Sequence, residues 1–214
     1  MQTALIIGGD LRTFLDCFPS LESNVLNYNN CDVYLHLYNE PLAEEAIKLL
    51  SPVRYLIEDK SKVVHQINEH CHSNKPSEVD PHRVFSQWRT VQKAFGLIEN
   101  AKYDMVIKTR YDVKYTNPLK VDRYNPSCLN VPIGGDWRGG LFDMVAWGSQ
   151  VNMNHYSSLY DRINKYVLEG VSCHSELLNL YNNKNNSINR CEYTVLLRRQ
   201  FDRDFIEDRV FTLR

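Results

Sequence analysis

Three short apolar runs fall within the first 58 residues, and the segments between them constrain the fold more than any other feature of the chain. "TALIIG" (3–8), "CDVYLHLYN" (31–39) and "VRYLIE" (53–58) each have the length and the β-former content of a strand. "RTFLDCFPSLESNVLN" (12–27) places its apolar residues near helical spacing, with Pro19 expected to mark a break or a new first turn. "LAEEAIKLL" (42–50) is a short amphipathic helix. A β-α-β-α-β order of this kind needs crossover helices and implies a mainly parallel sheet with helices on its faces.

The rest of the chain extends that pattern. Residues 59–80 are polar and irregular, and read as a mobile loop with a short helix over 61–71; Ser77 to Asp80 could close over a ligand. "PHRVFSQWRTVQKAFGLIENA" (81–101) is the clearest helix, with Asp80 as N-cap, Pro81 in the first turn and Val84, Trp88, Val91, Phe95 and Ile98 as its apolar stripe. "DMVIKT" (104–109) is a fourth strand. "SCLNVPI" (127–133) and "LFDMVAWG" (141–148) are further strands, "NMNHYSSLYDRINKYVL" (152–168) and "SCHSELLNLYNNK" (172–184) are helices, and "CEYTVLLRRQFDRDF" (191–205) begins strand-like. No internal repeat or low-complexity linker interrupts the 214 residues, which suits one domain.

Bulk properties exclude some functions. A formal net charge of -1 gives no general attraction to nucleic acid or to an anionic membrane, so any anion site must be local. No apolar run approaches the ~20 residues needed to span a bilayer. The opening "MQTALIIGGD" has no basic n-region and reads as no signal peptide. The six cysteines have no C-x-x-C pair and suit reduced thiols, which points to a cytoplasmic protein. The ending "RVFTLR" is compatible with a domain from a longer polypeptide.

In open α/β sheets ligands gather at the carboxyl ends of the strands, and the chemistry-bearing residues cluster there. After the fourth strand comes "KTRYD". If 108–112 stay extended, Lys108, Arg110 and Asp112 share one face. Two cations beside a carboxylate suit a phosphate and a divalent metal, with a strand-end salt bridge as the competing reading. After the first strand, "GGDLRTF" offers Gly8 and Gly9 for close backbone approach, then Asp10 and Arg12 before a helix, although the spacing is not that of a dinucleotide fingerprint. "GGDWRGG" (134–140) surrounds Asp136 and Trp137 with glycine and reads as a loop shaped around a ligand. Asp143 interrupts an apolar run, so it needs a hydrogen-bonded or ionic role. In "CHSELL" (173–178), His174 and Glu176 precede a helix, where Glu176 also suits a helix-start carboxylate. Tyr38 lies at the end of the second strand. "EHCH" (69–72) lacks a second ligand pair at useful spacing and is read as incidental.

Taken together, these segments resemble the nucleotide-sugar glycosyltransferases of the GT-A fold, in which a D-x-D motif after a central strand binds a metal on the donor diphosphate. "TRYDV" stands in that place as an R-x-D variant, and the similarity covers roughly residues 4–185. More narrowly, the sequence resembles the amino-terminal glycosyltransferase domains of chlorovirus proteins that build capsid glycans, which would place it in host cytoplasm. The resemblance implies a single Rossmann-like domain with a nucleotide-binding half (1–115) and a donor-sugar and acceptor half (116–214). It implies transfer of a hexose from a nucleoside diphosphate sugar, UDP-linked, to a glycan hydroxyl, assisted by Mn²⁺ or Mg²⁺. Asp112 is then the metal ligand, with Asp10 or Asp143 as support. Gly8, Gly9, Asp10, Arg12, Tyr38, Lys108, Arg110, Asp112, Asp136 and Trp137 are donor contacts, Asp143 and Glu176 catalytic candidates and His174 an acceptor contact. A non-catalytic nucleotide- or glycan-binding module and a metal-dependent phosphohydrolase are the alternatives.

Overall fold

The computed structural model describes residues 1–67, 80–134, 140–166, 187–201 and 205–210. Strand β1 (Thr3–Gly8) is followed by α1 (Phe14–Leu21), a π-helical turn (Glu22–Leu26) and the single turn α2 (Asn27–Asn29). Pro19 sits inside α1 rather than breaking it. Then come β2 (Cys31–Tyr38), α3 (Ala43–Leu50), β3 (Arg54–Glu58) and α4 (Pro81–Gly96). Asp80 caps α4 by accepting a hydrogen bond from the His82 N–H at 2.9 Å, which ties the end of the expected lid to the helix. Of that loop, a 3₁₀ turn forms at Lys60–Lys62, and residues 68–79, with "EHCH", lie outside the described residues.

The chain continues through β4 (Met105–Thr109), β5 (Val113–Tyr115), β6 (Leu129–Pro132), β7 (Ala146–Gly148), α5 (Gln150–Ser157), α6 (Ile163–Tyr166), β8 (Ile188–Cys191), β9 (Val195–Phe201) and β10 (Phe205–Val210). Seven strands form one sheet in the order β3-β2-β1-β4-β7-β6-β8. All neighbours are parallel except β7, which runs antiparallel to both β4 and β6. The sheet is thus α/β and mainly parallel, as the alternation required. "LFDMVAWG" contributes only its last three residues as strand, because Leu141 to Val145 enter the sheet edge as irregular chain. A second, three-stranded sheet, β10-β9-β5, was not foreseen; its central strand pairs antiparallel to both neighbours.

Alternation along the strands builds two cores. Leu5, Ile7, Leu35, Leu37 and Ile107 point to one face, where α1 and α3 cover them with Phe14, Leu21, Ala46 and Leu50. Ala4, Ile6 and Val106 point to the other, beneath Val84, Trp88, Val91 and Ala94 of α4 and Met153 and Tyr156 of α5. Phe95, expected in the α4 stripe, packs only at the margin of that core. Gly8 is dictated by this packing: a Cβ there would lie 2.8 Å from the Thr90 carbonyl oxygen of α4.

Strand order reverses about β1. The chain leaves β1 toward β2 and β3 on one side, and returns to β4 on the other. In sheets of this class the carboxyl edge at such a reversal is the switch point, where a crevice receives the ligand.

Candidate functional site

Four strand ends meet at that edge, and their loops are tied to one another by charged side chains. Gly9 takes φ 129°, which only glycine adopts without strain, and Arg12 takes φ 27°, in the left-handed region. The loop they shape is held from three directions. The Leu11 N–H donates to Glu40, beyond β2, at 3.0 Å. Lys60, beyond β3, donates to Asp10 at 2.6 Å. Arg12 reaches Asp10 at 3.1 Å and stands 4.0 Å from Asp112, beyond β4. Burial works against the Asp10 charge, yet Lys60 and then Arg12 outweigh it and hold the carboxyl below its usual range.

The "KTRYD" motif does not stay extended. β4 ends at Thr109, and Tyr111 turns into the core, where its hydroxyl donates to the His36 carbonyl at 3.1 Å and its ring meets Phe14 edge-on. The turn brings Arg110 back over Asp112. Nε and Nη2 donate to the two carboxylate oxygens at 2.9 and 2.8 Å, a bidentate pair with Asp112 only 2% exposed. The Asp112 backbone is fixed as well, since its carbonyl accepts the Arg198 N–H at 2.9 Å from β9.

Lys108 corrects the expectation of a phosphate contact. It is 1% exposed, and its ammonium donates to the carbonyls of Asp143 and, at 3.1 Å, Met144. Its position in β4 faces it beneath α4 and β7 rather than into the crevice. Asp143, also 2% exposed, accepts from the side-chain amide of Gln87 through its carboxylate, while its carbonyl also receives the Tyr156 hydroxyl at 3.2 Å. The Gln87 amide oxygen lies 3.5 Å from Arg110 Nη1. Asp10, Arg12, Arg110, Asp112 and Asp143 are therefore brought to one edge. Tyr38 is at that edge but buried, packed edge-on against His36, with the Lys60 ammonium 5.2 Å from its ring centroid. Its ring faces protein and offers no open platform. Asp136, Trp137, His174 and Glu176 lie outside the described residues.

No known protein family matches this chain, and no curated protein does either.

Two further groups went unread in the sequence. Arg89 of α4 forms a bidentate pair with Glu58 at the end of β3, with Nη2 donating to Oε1 at 2.8 Å. His36 of β2, fully buried, lies 2.7 Å from Glu58 through Nε2. The Arg89 hydrogen bonds, above all, hold the Glu58 carboxyl down at about 2, whereas burial lowers the His36 pKa despite Glu58. A signal existed for Arg89, since it falls one helical turn after Phe85 on a helix that crosses the strand ends, but its partner is 31 residues away. His65 bridges Tyr160 (3.2 Å) and Ser86 (2.9 Å) beside the same half of α4.

The arrangement fits a divalent ion in one respect. Asp10 and Asp112 converge on a single cation, the Arg12 guanidinium. Two carboxylates are what Mg²⁺ or Mn²⁺ uses when substrate phosphates and water complete its shell. Among the described residues no group of three or more His, Cys, Asp or Glu side chains gathers as a closed metal site, and none of their helices is long and apolar enough to cross a membrane.

Proposed function

We propose that this chain is a glycosyltransferase of the GT-A type, moving a sugar from a nucleoside diphosphate sugar, UDP-linked, to a glycan hydroxyl. One observation carries the reading: loops from β1, β3 and β4 place Lys60, Arg12 and Arg110 around Asp10 and Asp112 at the switch point of a mainly parallel sheet. Three cations around two carboxylates suit a diphosphate and an ion that accompanies it.

Departure of a nucleoside diphosphate concentrates negative charge on its outer oxygens. Arg12 and Lys60 have half or more of their side-chain surface exposed and can exchange a carboxylate partner for phosphate. Arg110, pinned by Asp112, presents a fixed guanidinium rather than a searching one. A bound Mn²⁺ or Mg²⁺ would be held by Asp112 and Asp10 and would neutralise leaving-group charge. Asp143 is the carboxylate placed to contact the donor sugar or to act as base while the sugar centre gains oxocarbenium character. Its burial removes competing water, and Gln87 satisfies one of its oxygens.

A thermal-shift panel of UDP-, GDP- and CMP-sugars with and without Mn²⁺, followed by chromatographic detection of released nucleotide, tests this. One donor class should raise the melting temperature, most strongly with Mn²⁺, and should be hydrolysed slowly. Stabilisation without hydrolysis or transfer to any sugar acceptor would instead assign a binding module. No response to any donor would overturn the reading.

A further inference from the structure

Gln87 touches both Arg110 and Asp143. It projects from the second turn of α4, is half-buried, and sits where the helix packs on β1 and β2. Its amide is used at both ends. The NH₂ donates to the Asp143 carboxylate, and the carbonyl oxygen lies 3.5 Å from Arg110 Nη1. The assignment of amide oxygen and nitrogen follows from the partners, since a carboxylate accepts and a guanidinium donates. Asp143 is also held through its own carbonyl, which receives both Lys108 and Tyr156. Backbone and carboxylate are thus oriented by separate donors.

We infer that Gln87 is a positioning residue that aims the Asp143 carboxylate and couples it to Arg110, so that the group serving the sugar and the group serving the diphosphate hold a fixed relation. The inference rests on the glycosyltransferase reading. A neutral amide suits the role. It supports the ionised form of Asp143 without the charge of a lysine, which would compete for the diphosphate, and without the repulsion of a second carboxylate. The side chain also bridges α4 to the chain after β4 and the chain before β7.

Two variants in the full chain test it, with donor hydrolysis followed across pH and nucleotide binding followed by calorimetry with UDP. Gln87→Met keeps length and volume but loses both hydrogen bonds. It should lower kcat by about tenfold or more through lost orientation, with the Kd for UDP changed less than about threefold. Gln87→Glu sets a carboxylate against Asp143 and should move the acidic limb of the rate–pH profile to higher pH, recovering activity as pH rises. A residue that merely packs would lower the melting temperature of both variants and leave that limb in place. Wild-type kcat and an unmoved limb in both variants overturn the inference while the glycosyltransferase reading stands. A wild-type chain that binds and hydrolyses no nucleotide sugar overturns the two together.

Discussion

Arg110 and Asp112 show how a short motif can hold more than one role. Read as an extended run they would point side by side into solvent; as folded, they grip each other because Tyr111 is drawn into the core between them. Asp112→Asn should leave the fold intact, with a melting temperature within a few degrees of wild type. Donor hydrolysis should fall by about 10²- to 10³-fold, as expected when a preorganised charge at the leaving group is removed; hydrolysis at the wild-type rate would exclude Asp112 from the chemistry. His36 and Glu58 give a second expectation at this scale. Burial favours neutral His36, so its folded pKa lies below the ordinary 6.5. The unfolded chain then takes up the proton first, and stability falls as pH drops below about 6.5. Glu58, held at about 2 against an ordinary 4.5, contributes stability that is lost between those values. Melting temperature against pH should therefore decline in two stages, and His36→Gln should remove the upper one. What the sequence could show of these residues was type and place. It could not show that Lys108 is buried, because a lysine at a strand end normally reaches water, and here the carbonyls of Asp143 and Met144 help to make its burial tolerable.

Elements were legible where a period repeats for long enough. The three opening strands and α3 emerge from sequence to within a residue at each end, since turn chemistry bounds them, while α4 starts where expected at Pro81 but ends at Gly96 rather than at 101. β5 has only three residues, and its partner β9 lies 80 or so positions away, so no local pattern announces their sheet. The contact between β1 and α4 makes an element-scale prediction. Gly8→Ala forces a methyl against the Thr90 backbone and should cost about 1–3 kcal/mol in denaturant unfolding. Gly96→Ala, near the end of the same helix and with open space around it, should be neutral or stabilise by about 0.4–1 kcal/mol. Equal effects from the two would show that α4 does not press on β1 as described.

At the scale of the molecule, the site is assembled from residues that are distant along the chain. Asp10, Lys60, Arg110 and Asp143 meet only after the crossovers place β1, β3, β4 and β7 in order. The alternation of strands and helices therefore indicated where these charged residues would gather, while their pairing awaited the register of the whole sheet. Leu197 tests the reach of this assembly. It is fully buried on β9, opposite Val113, one residue from the strand's hold on Asp112. Leu197→Ala should cost about 2–5 kcal/mol and also weaken donor binding, whereas Leu50→Ala, a truncation in the same core but on α3, should cost a similar amount and leave binding unchanged. Calorimetric titration with UDP well below both melting temperatures separates the two; identical binding would mean that β9 has no bearing on the site.

Thr13 adds one more consequence to that attachment. Its hydroxyl donates at 2.9 Å to the carbonyl of Arg198, whose N–H in turn holds Asp112. A single residue of β9 thus acts as a rivet through the loops that follow β1 and β4. A displacement of the small sheet by an ångström would be delivered to both jaws of the crevice at once, which makes that sheet a handle on how tightly the jaws close.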